Sequence, residues 1–156
     1  MTDDKITFIA EGMIGLNNSA VELVRKGEYD GAEEMFETME NTAKLFGYNE
    51  GVGMARMSLA SISMMRGRLL EALSRIEGSV CIYPECEGRK IACDMQSKIV
   101  LVALDMGIKR ERAGKLNDAL ELFEAILPKL NEKRAAAISK EIAHIKAHLA
   151  KKGTDG

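Results

Sequence analysis

A twelve-residue pattern that occurs three times along the chain constrains the fold more than any other feature of the sequence. The copies are RKGEYDGAEEMF at 25–36, MRGRLLEALSRI at 65–76 and RAGKLNDALELF at 112–123. Each copy has Gly at its third position, Tyr or Leu at its fifth, Ala at its eighth and Phe or Ile at its twelfth. Three copies of one pattern indicate a repeat protein, in which each copy forms the same supersecondary unit.

The spacing within this pattern predicts a helical hairpin. We expect Gly27, Gly67 and Gly114 to end the first helix of each pair, because Gly adopts the positive φ that closes a helix C-terminus. The small Ala then allows the second helix to approach the first closely, and the bulky residue one turn later fills the space beside it. The Ala residues are Ala32, Ala72 and Ala119, and the bulky residues are Phe36, Ile76 and Phe123.

Apolar residues recur at steps of three and four along nearly the whole chain, which predicts amphipathic helices. Gly, Pro and Asn interrupt this periodicity and divide the chain into seven helices. The predicted helices are 3–26, 28–46, 49–66, 69–82, 86–113, 117–127 and 130–151. The sequence therefore predicts a single all-α domain over 1–156. It contains three stacked antiparallel hairpins, at 3–46, 49–82 and 86–127, and a capping helix at 130–151.

The composition is that of an ordinary soluble globular protein, with 46% hydrophobic and 29% charged residues. A net charge of −2 gives no overall attraction to nucleic acid or to anionic lipid, so neither is expected as a partner. The charge is uneven, because residues 1–50 carry eleven acids and four bases and the remainder carries +5. Acidic residues near the N-terminus and the lack of a membrane-length apolar run favour a cytoplasmic location.

The repeated pattern resembles the tetratricopeptide repeat family over about residues 13–130. The small residues expected in the first helices are Ala20, Ala60 and Gly107. The chain departs from the family in length, because its shared Ala residues are 40 and then 47 apart, against about 34 in the family. It also lacks the family's Trp and Tyr. Leu16, Arg56 and Ala103 replace the Trp, and Leu23, Ser63 and Arg110 replace the Tyr. The resemblance implies a long-helix variant that forms a right-handed superhelix.

The resemblance further implies a concave groove, lined by the first helices, that binds a peptide or helix of a protein partner. The groove residues it assigns are Ile14, Asn17, Val21, Met54, Met57, Ser61, Met64, Leu101, Leu104, Ile108 and Glu111. Such a floor is apolar and rich in Met, which repacks easily around different side chains. Whether the groove is open or is filled by the last helix stays undecided at this point.

We therefore expect a non-enzymatic adaptor without a cofactor or metal, since no phosphate loop, nucleophile elbow or catalytic His pairing is present. The first alternative is a self-associating module, in which the groove or the end helices join two chains. A second alternative is a thiol- or metal-responsive regulator that uses Cys81, Cys86 and Cys93.

The favoured interpretation of these three cysteines is that they are small buried core residues. His144 and His148 are interpreted as exposed or edge residues of the last helix.

Basic residues at the hairpin corners have two interpretations. They are Arg25, Lys26, Arg66, Arg68, Arg112 and Lys115. Helix capping is favoured, because a cation near a helix C-terminus complements the helix dipole. The alternative is a basic ridge that binds acidic partners.

Overall fold

A computed structural model describes the backbone of residues 3–154 and their side chains, except those of residues 6 and 154. Within that range the chain forms seven α-helices and no strand, as predicted. The helices are α1 (Asp3–Arg25), α2 (Tyr29–Leu45), α3 (Asn49–Met65), α4 (Leu69–Ile82), α5 (Glu87–Arg112), α6 (Leu116–Ile126) and α7 (Glu132–Thr154), with a 3-10 turn at Leu127–Lys129. The all-α prediction is confirmed, whereas the superhelix and the single domain stay predictions.

Four connections between helices share one design, in which three residues separate the helices and the middle one is Gly. These glycines have positive φ: Gly27 (75°), Gly47 (67°), Gly67 (75°) and Gly114 (80°). After α1 the Gly27 amide donates to the Val24 carbonyl at 3.0 Å, and the Glu28 amide donates to the Leu23 carbonyl at 2.9 Å. The same two hydrogen bonds follow α2, α3 and α5. This arrangement is the Schellman motif, which satisfies carbonyls that a helix end otherwise leaves unpaired.

The turn at Gly47 extends the repeat beyond the three copies found in the sequence. Gly27, Gly47 and Gly67 are spaced by twenty residues, so every helix from α1 to α3 ends at the same point of a twenty-residue unit. Because two such units make one hairpin, the forty-residue spacing of the shared Ala residues follows directly. The twenty-residue repeat ends after α4, where Pro84 rather than Gly follows the helix.

The last helix begins two residues later than predicted because a side chain caps it there. The Arg134 amide donates to Asn131 Oδ1 at 2.9 Å, which is the usual N-cap hydrogen bond. Pro128 lies in the preceding 3-10 turn, a position that suits its fixed φ and missing N–H. The chain therefore changes direction between α6 and α7 without a Gly.

The chain divides into two compact units, and the boundary falls between Gln96 and Ser97, inside α5. In the first unit, consecutive helices from α1 to α4 pack against each other. The direction of the chain reverses at each three-residue turn, so these neighbours are antiparallel. The buried small residues that permit the close approach are Ala20, Ala32, Ala60 and Ala72. Ala32 and Ala72 were predicted at the helix contacts, and Ala20 and Ala60 as the small residues of the first helices; all four are buried.

Aromatic rings occupy the space that glycines leave inside the first unit. A Cβ added to Gly53 of α3 would lie 2.5 Å from Tyr83 Cδ2, and one added to Gly88 of α5 would lie 2.6 Å from Tyr83 Cε1. Burial raises the pKa of the Tyr83 phenol to about 12, with a smaller contribution from neighbouring negative charge. Both glycines therefore make room for one buried ring.

The second unit contains the C-terminal part of α5 together with α6 and α7. A Cβ on Gly107 would lie 2.6 Å from Phe123 Cε1, so the small residue of α5 receives the bulky residue of α6. Ala119 and Phe123 are completely buried. α6 packs on α7. The core is completed by Leu122, Ile126, Ile138, Ile142 and Ile145.

Candidate interaction surface

One face of α3 is only partly covered by its neighbours and is rich in methionine, although Met54 on this face also packs against the core. The residues of this face follow one another at helical spacing and are half-buried or, for the last, exposed. They are Met54, Met57, Ser58, Ser61, Met64 and Met65. The remainder of α3 is packed, with Val52, Ala55, Leu59 and Ile62 buried. All the α3 residues that the family resemblance assigns to a groove thus lie on the partly open face.

The α1 residues assigned to the groove are also accessible. Ile14 is 57% exposed, Val21 is 38% exposed and Asn17 between them is half-buried. α1 contacts α3 as well as α2, so the two first helices of this unit lie side by side. The structure therefore brings the α1 and α3 residues onto neighbouring helices, and none of them is a buried core residue.

The α5 residues of the predicted groove lie in the second unit and differ in exposure. Leu101 is exposed, and Leu104, Ile108 and Glu111 are half-buried. Burial, a hydrogen bond with the Glu141 carboxyl and the charge of Glu141 together raise the pKa of Glu111 to about 7, while Arg112 acts in the opposite direction. Burial and the neighbouring Glu141 carboxyl thus keep the Glu111 carboxyl protonated to a higher pH than an ordinary glutamate.

Two α3 residues, Arg56 and Ser63, stand where the family resemblance would place Trp and Tyr, and both form polar contacts. Arg56 binds both helices beside α3, because its Nε donates to Glu40 Oε1 at 2.5 Å and its Nη1 donates to the Gly78 carbonyl at 2.9 Å. Both side chains of the Arg56–Glu40 pair are largely shielded from solvent. Arg56 therefore braces α2, α3 and α4 on the side opposite the methionine face.

Ser63 is completely buried and has hydrogen-bond partners on α3 and α4. Its Oγ lies 3.1 Å from the Leu59 carbonyl and 3.0 Å from Glu71 Oε2, and it accepts a hydrogen bond from Arg75 Nη1 at 2.6 Å. A second buried hydroxyl, Ser79 Oγ, donates to the Gly53 carbonyl at 2.7 Å. Because a buried polar group without a partner is costly, these contacts stabilise the packing of α3 on α4.

A half-buried carboxylate of α2 extends the polar contacts. Glu33 Oε1 lies 3.3 Å from Arg66 Nη1 and 3.6 Å from Arg75 Nη1, so two guanidinium groups offset its negative charge. Arg66 Nη1 also donates to Asp30 Oδ1 at 2.9 Å, and its guanidinium carbon lies 5.8 Å from the centroid of the Tyr29 ring. The neighbouring acids raise the pKa of Arg66, the hydrogen bond with Asp30 contributing most.

The acidic partners of these basic corner residues weaken their interpretation as a free basic ridge in the first unit. Arg66 is engaged by α2 and has little exposed surface. Arg25 pairs with Glu22 at 3.5 Å, and Arg68 pairs with Glu71 at 4.0 Å, both within one helix or its first turn. These three corner cations are therefore already partnered by acids of the same unit.

The interpretation of the cysteines as buried core residues is wrong. Cys81 and Cys93 are exposed and Cys86 is half-buried. The phase of α4 and α5 explains this result, because Ser79 and Ala92 take the buried positions beside Cys81 and Cys93. His144 and His148 are exposed on α7. Among the residues the structure describes, no group of three or more His, Cys, Asp or Glu is arranged to hold a metal ion.

Comparison with models of known protein families finds no match, and comparison with curated proteins finds no significant match either. Within residues 3–154 no helix is both long enough and apolar enough to cross a bilayer.

Proposed function

We propose that the chain is a non-enzymatic adaptor of tetratricopeptide-like architecture that binds an apolar segment of a protein partner on the face formed by α1 and α3. The observation that carries the proposal is the asymmetry of α3. One side is braced by Arg56 and Ser63 with hydrogen-bonded partners, whereas the other presents Met54, Met57 and Met64 partly open to solvent. An apolar helix face that stays partly open to solvent is a candidate interaction site.

The chemistry of this face favours an amphipathic helix as the bound segment. Methionine has an unbranched, flexible side chain and a polarisable sulfur, so it adapts to differently shaped apolar side chains. Ser58, Ser61 and Asn17 place polar groups among the methionines and offer hydrogen bonds that fix the position of a bound segment. A helix with apolar residues at every third or fourth position matches such a surface.

The three cysteines support a cytoplasmic location for this adaptor. Their number is odd and Cys81 and Cys93 are exposed, which suits a compartment that keeps thiols reduced.

The proposal is tested by comparing partner retention by the native chain and by two Asp variants. Met57→Asp places a charge on the methionine face, and Leu70→Asp places one at an equally apolar, 42% exposed position of α4 outside it. We expect the native chain and Leu70→Asp to retain the same partner protein and Met57→Asp not to retain it. Both variants should be as helical as the native chain. Equal retention by the two variants contradicts a binding site on α3.

The contribution of α5 is tested separately with Leu104→Asp. Leu104 is half-buried in the second unit, so the variant requires its own circular dichroism and thermal unfolding controls. If the purified partner binds Leu104→Asp as tightly as the native chain, the binding site is restricted to α1 and α3. A loss of affinity without a loss of helicity shows that α5 also contributes to binding.

A further inference from the structure

An apolar cleft opens along the outer side of α1, away from the methionine face. It has a volume of about 390 Å³ and lies between the first half of α1 and the end of α2. Its apolar lining includes Phe8, Ile9, Leu16 and Phe46. Phe8 is 77% exposed, which is unusual for a large aromatic side chain within a helix. Within the described part of the chain, this side of α1 thus presents apolar surface that is left open.

Phe8 belongs to a stripe of exposed residues that runs the length of α1. The steps along the stripe alternate between three and four, as they do along the seam of a coiled coil. The stripe consists of Lys5, Phe8, Gly12, Gly15, Ser19 and Glu22. Its centre is made of small residues and its two ends carry opposite charges.

The two glycines of this stripe have no role in the packing of the first unit. A Cβ added to Gly12 or Gly15 meets nothing within 4 Å, whereas one added to Gly51, Gly53 or Gly88 would collide with a side chain. Glycine inside a helix destabilises it by about 1 kcal/mol relative to Ala. These glycines therefore weaken α1 without the compensating close contact that the other three provide.

We propose that a second copy of this chain packs on the outer face of α1, with the two α1 helices antiparallel about a two-fold axis. Under this symmetry the stripe pairs with itself. Phe8 of one copy faces Ser19 of the other, Gly12 faces Gly15, and Lys5 faces Glu22 at both ends. The interface is isologous, as in most soluble homodimers.

The opposite charges at the two ends of the stripe favour a second copy of this chain as the bound partner and an antiparallel orientation of the two α1 helices. In the antiparallel arrangement each Lys5 ammonium meets a Glu22 carboxylate, which also pairs with Arg25 of its own helix. Each Lys5–Glu22 pair contributes a modest favourable energy typical of exposed ions. A parallel arrangement would place Lys5 against Lys5 and Glu22 against Glu22, which is unfavourable at both ends. The small residues at the centre allow the backbones to approach closely, so that each Phe8 ring covers the glycines and Ser19 of the other copy.

The first test is the oligomeric state of the full chain and of a Gly12→Gln, Gly15→Gln variant, measured by sedimentation equilibrium. Both substitutions raise helix propensity and start from positions with open space beside them, but their side chains separate the two α1 helices. We expect the native chain to dimerise and the variant to dissociate at least about tenfold more readily, a change of about 1.4 kcal/mol. Thr7→Gln with Asn18→Gln adds the same side chains at α1 positions outside the stripe and should leave the dimer intact.

The second test reverses the charges. Lys5→Glu alone and Glu22→Lys alone each create two like-charged pairs and should weaken the dimer, more strongly at low salt. The double variant restores opposite charges and should recover most of the loss. A native chain that is monomeric at all accessible concentrations overturns the proposal. A dimer that tolerates the glycine variant also overturns it, and a double variant no better than the single ones refutes the antiparallel pairing.

Discussion

α1 and α3 are the first helices of successive hairpins, yet their surroundings differ. In α3, the side chains of Tyr48 and Met13 lie where a Cβ on Gly51 would be, and Tyr83 lies where a Cβ on Gly53 would be. The polar side chains Arg56 and Ser63 of α3 have partners on α2 or α4. α1 has glycines beside empty space and an exposed Phe8. The residues of α3 are thus largely explained by packing within the chain, whereas on α1 this holds for the core-facing residues but not for the outer face.

This difference separates residues that maintain the fold from residues available for binding. In α3 the methionine face is the apolar face least engaged by internal contacts, which is why the proposed partner site lies there. In α1 the whole outer face is unexplained, which is why the second copy is placed there. Three predictions on α1 and α3, ordered from the largest expected effect to the smallest, test how far this distinction holds, and a fourth concerns α5.

Replacing Arg56 of α3 by Ala should cost about 2–3 kcal/mol of unfolding free energy. The variant leaves the shielded Glu40 carboxylate without its main partner and removes the donor to the Gly78 carbonyl. Urea unfolding followed by circular dichroism measures the change. The matched variant on α1 is Arg25→Ala, which removes an exposed pair with Glu22 and should change stability by less than about 0.5 kcal/mol. Equal losses in the two variants would contradict the contrast between the helices.

Replacing Gly53 of α3 by Ala should destabilise the chain by about 1–2 kcal/mol, because the overpacking cost exceeds the gain in helix propensity. The added methyl group would lie 2.5 Å from the buried Tyr83 ring. Thermal unfolding compared with the native chain provides the measurement. A more stable variant would mean that the Tyr83 ring moves aside freely.

The same substitution at Gly12 of α1 should have the opposite sign. Because the added methyl group meets no atom, only the helix propensity changes, and the variant should be more stable by up to about 1 kcal/mol. Unfolding must be measured at a protein concentration at which the native chain is monomeric, so that the proposed dimer does not contribute. A loss of stability under these conditions would show that the monomer already fills the space beside Gly12.

The first helix of the third hairpin, α5, is tested through Glu111. Because its pKa is raised from 4.5 to about 7, the folded state binds the proton more tightly than the unfolded state. The stability from this group is complete below pH 4.5 and is lost as the pH rises through about 7. Glu111→Gln is permanently neutral, so it should match the native chain at pH 4 and be more stable at pH 8. Urea titrations measure the difference in unfolding free energy between Glu111→Gln and the native chain. If this difference is the same at both pH values, the raised pKa of Glu111 is contradicted.

Much of the fold could be predicted from local sequence. The bounds of the helices were predicted to within three residues, because Gly, Pro and Asn end helices for reasons that involve only a few neighbouring residues. Gly27, Gly67 and Gly114 have the predicted positive φ. The turn at Gly47 was not recognised as the same motif because Val52 and Arg56 follow it where the other copies have Ala and a bulky apolar residue.

The features that sequence did not reveal depend on distant contacts. Arg56 reaches Glu40 and Gly78, sixteen and twenty-two residues away, and neither partner is implied by helix periodicity. The prediction for the cysteines is wrong because the general preference of Cys for burial does not say which face of a helix a given Cys lies on. The open face of α1 was equally hidden, since a glycine in a sequence does not show whether anything lies beside it.

The short turns between neighbouring helices also bear on how the first unit unfolds. Its helices pack mainly on those next to them in sequence, so little chain entropy is lost before each contact forms, and such topologies fold rapidly. α3 packs extensively on both α2 and α4, whereas α1 packs extensively on α2 alone and only slightly on α3, so α1 should open without the rest of the unit unfolding. Amide hydrogens of α1 should therefore exchange with solvent deuterium faster than those of α3. Formation of the proposed dimer would slow exchange selectively in α1.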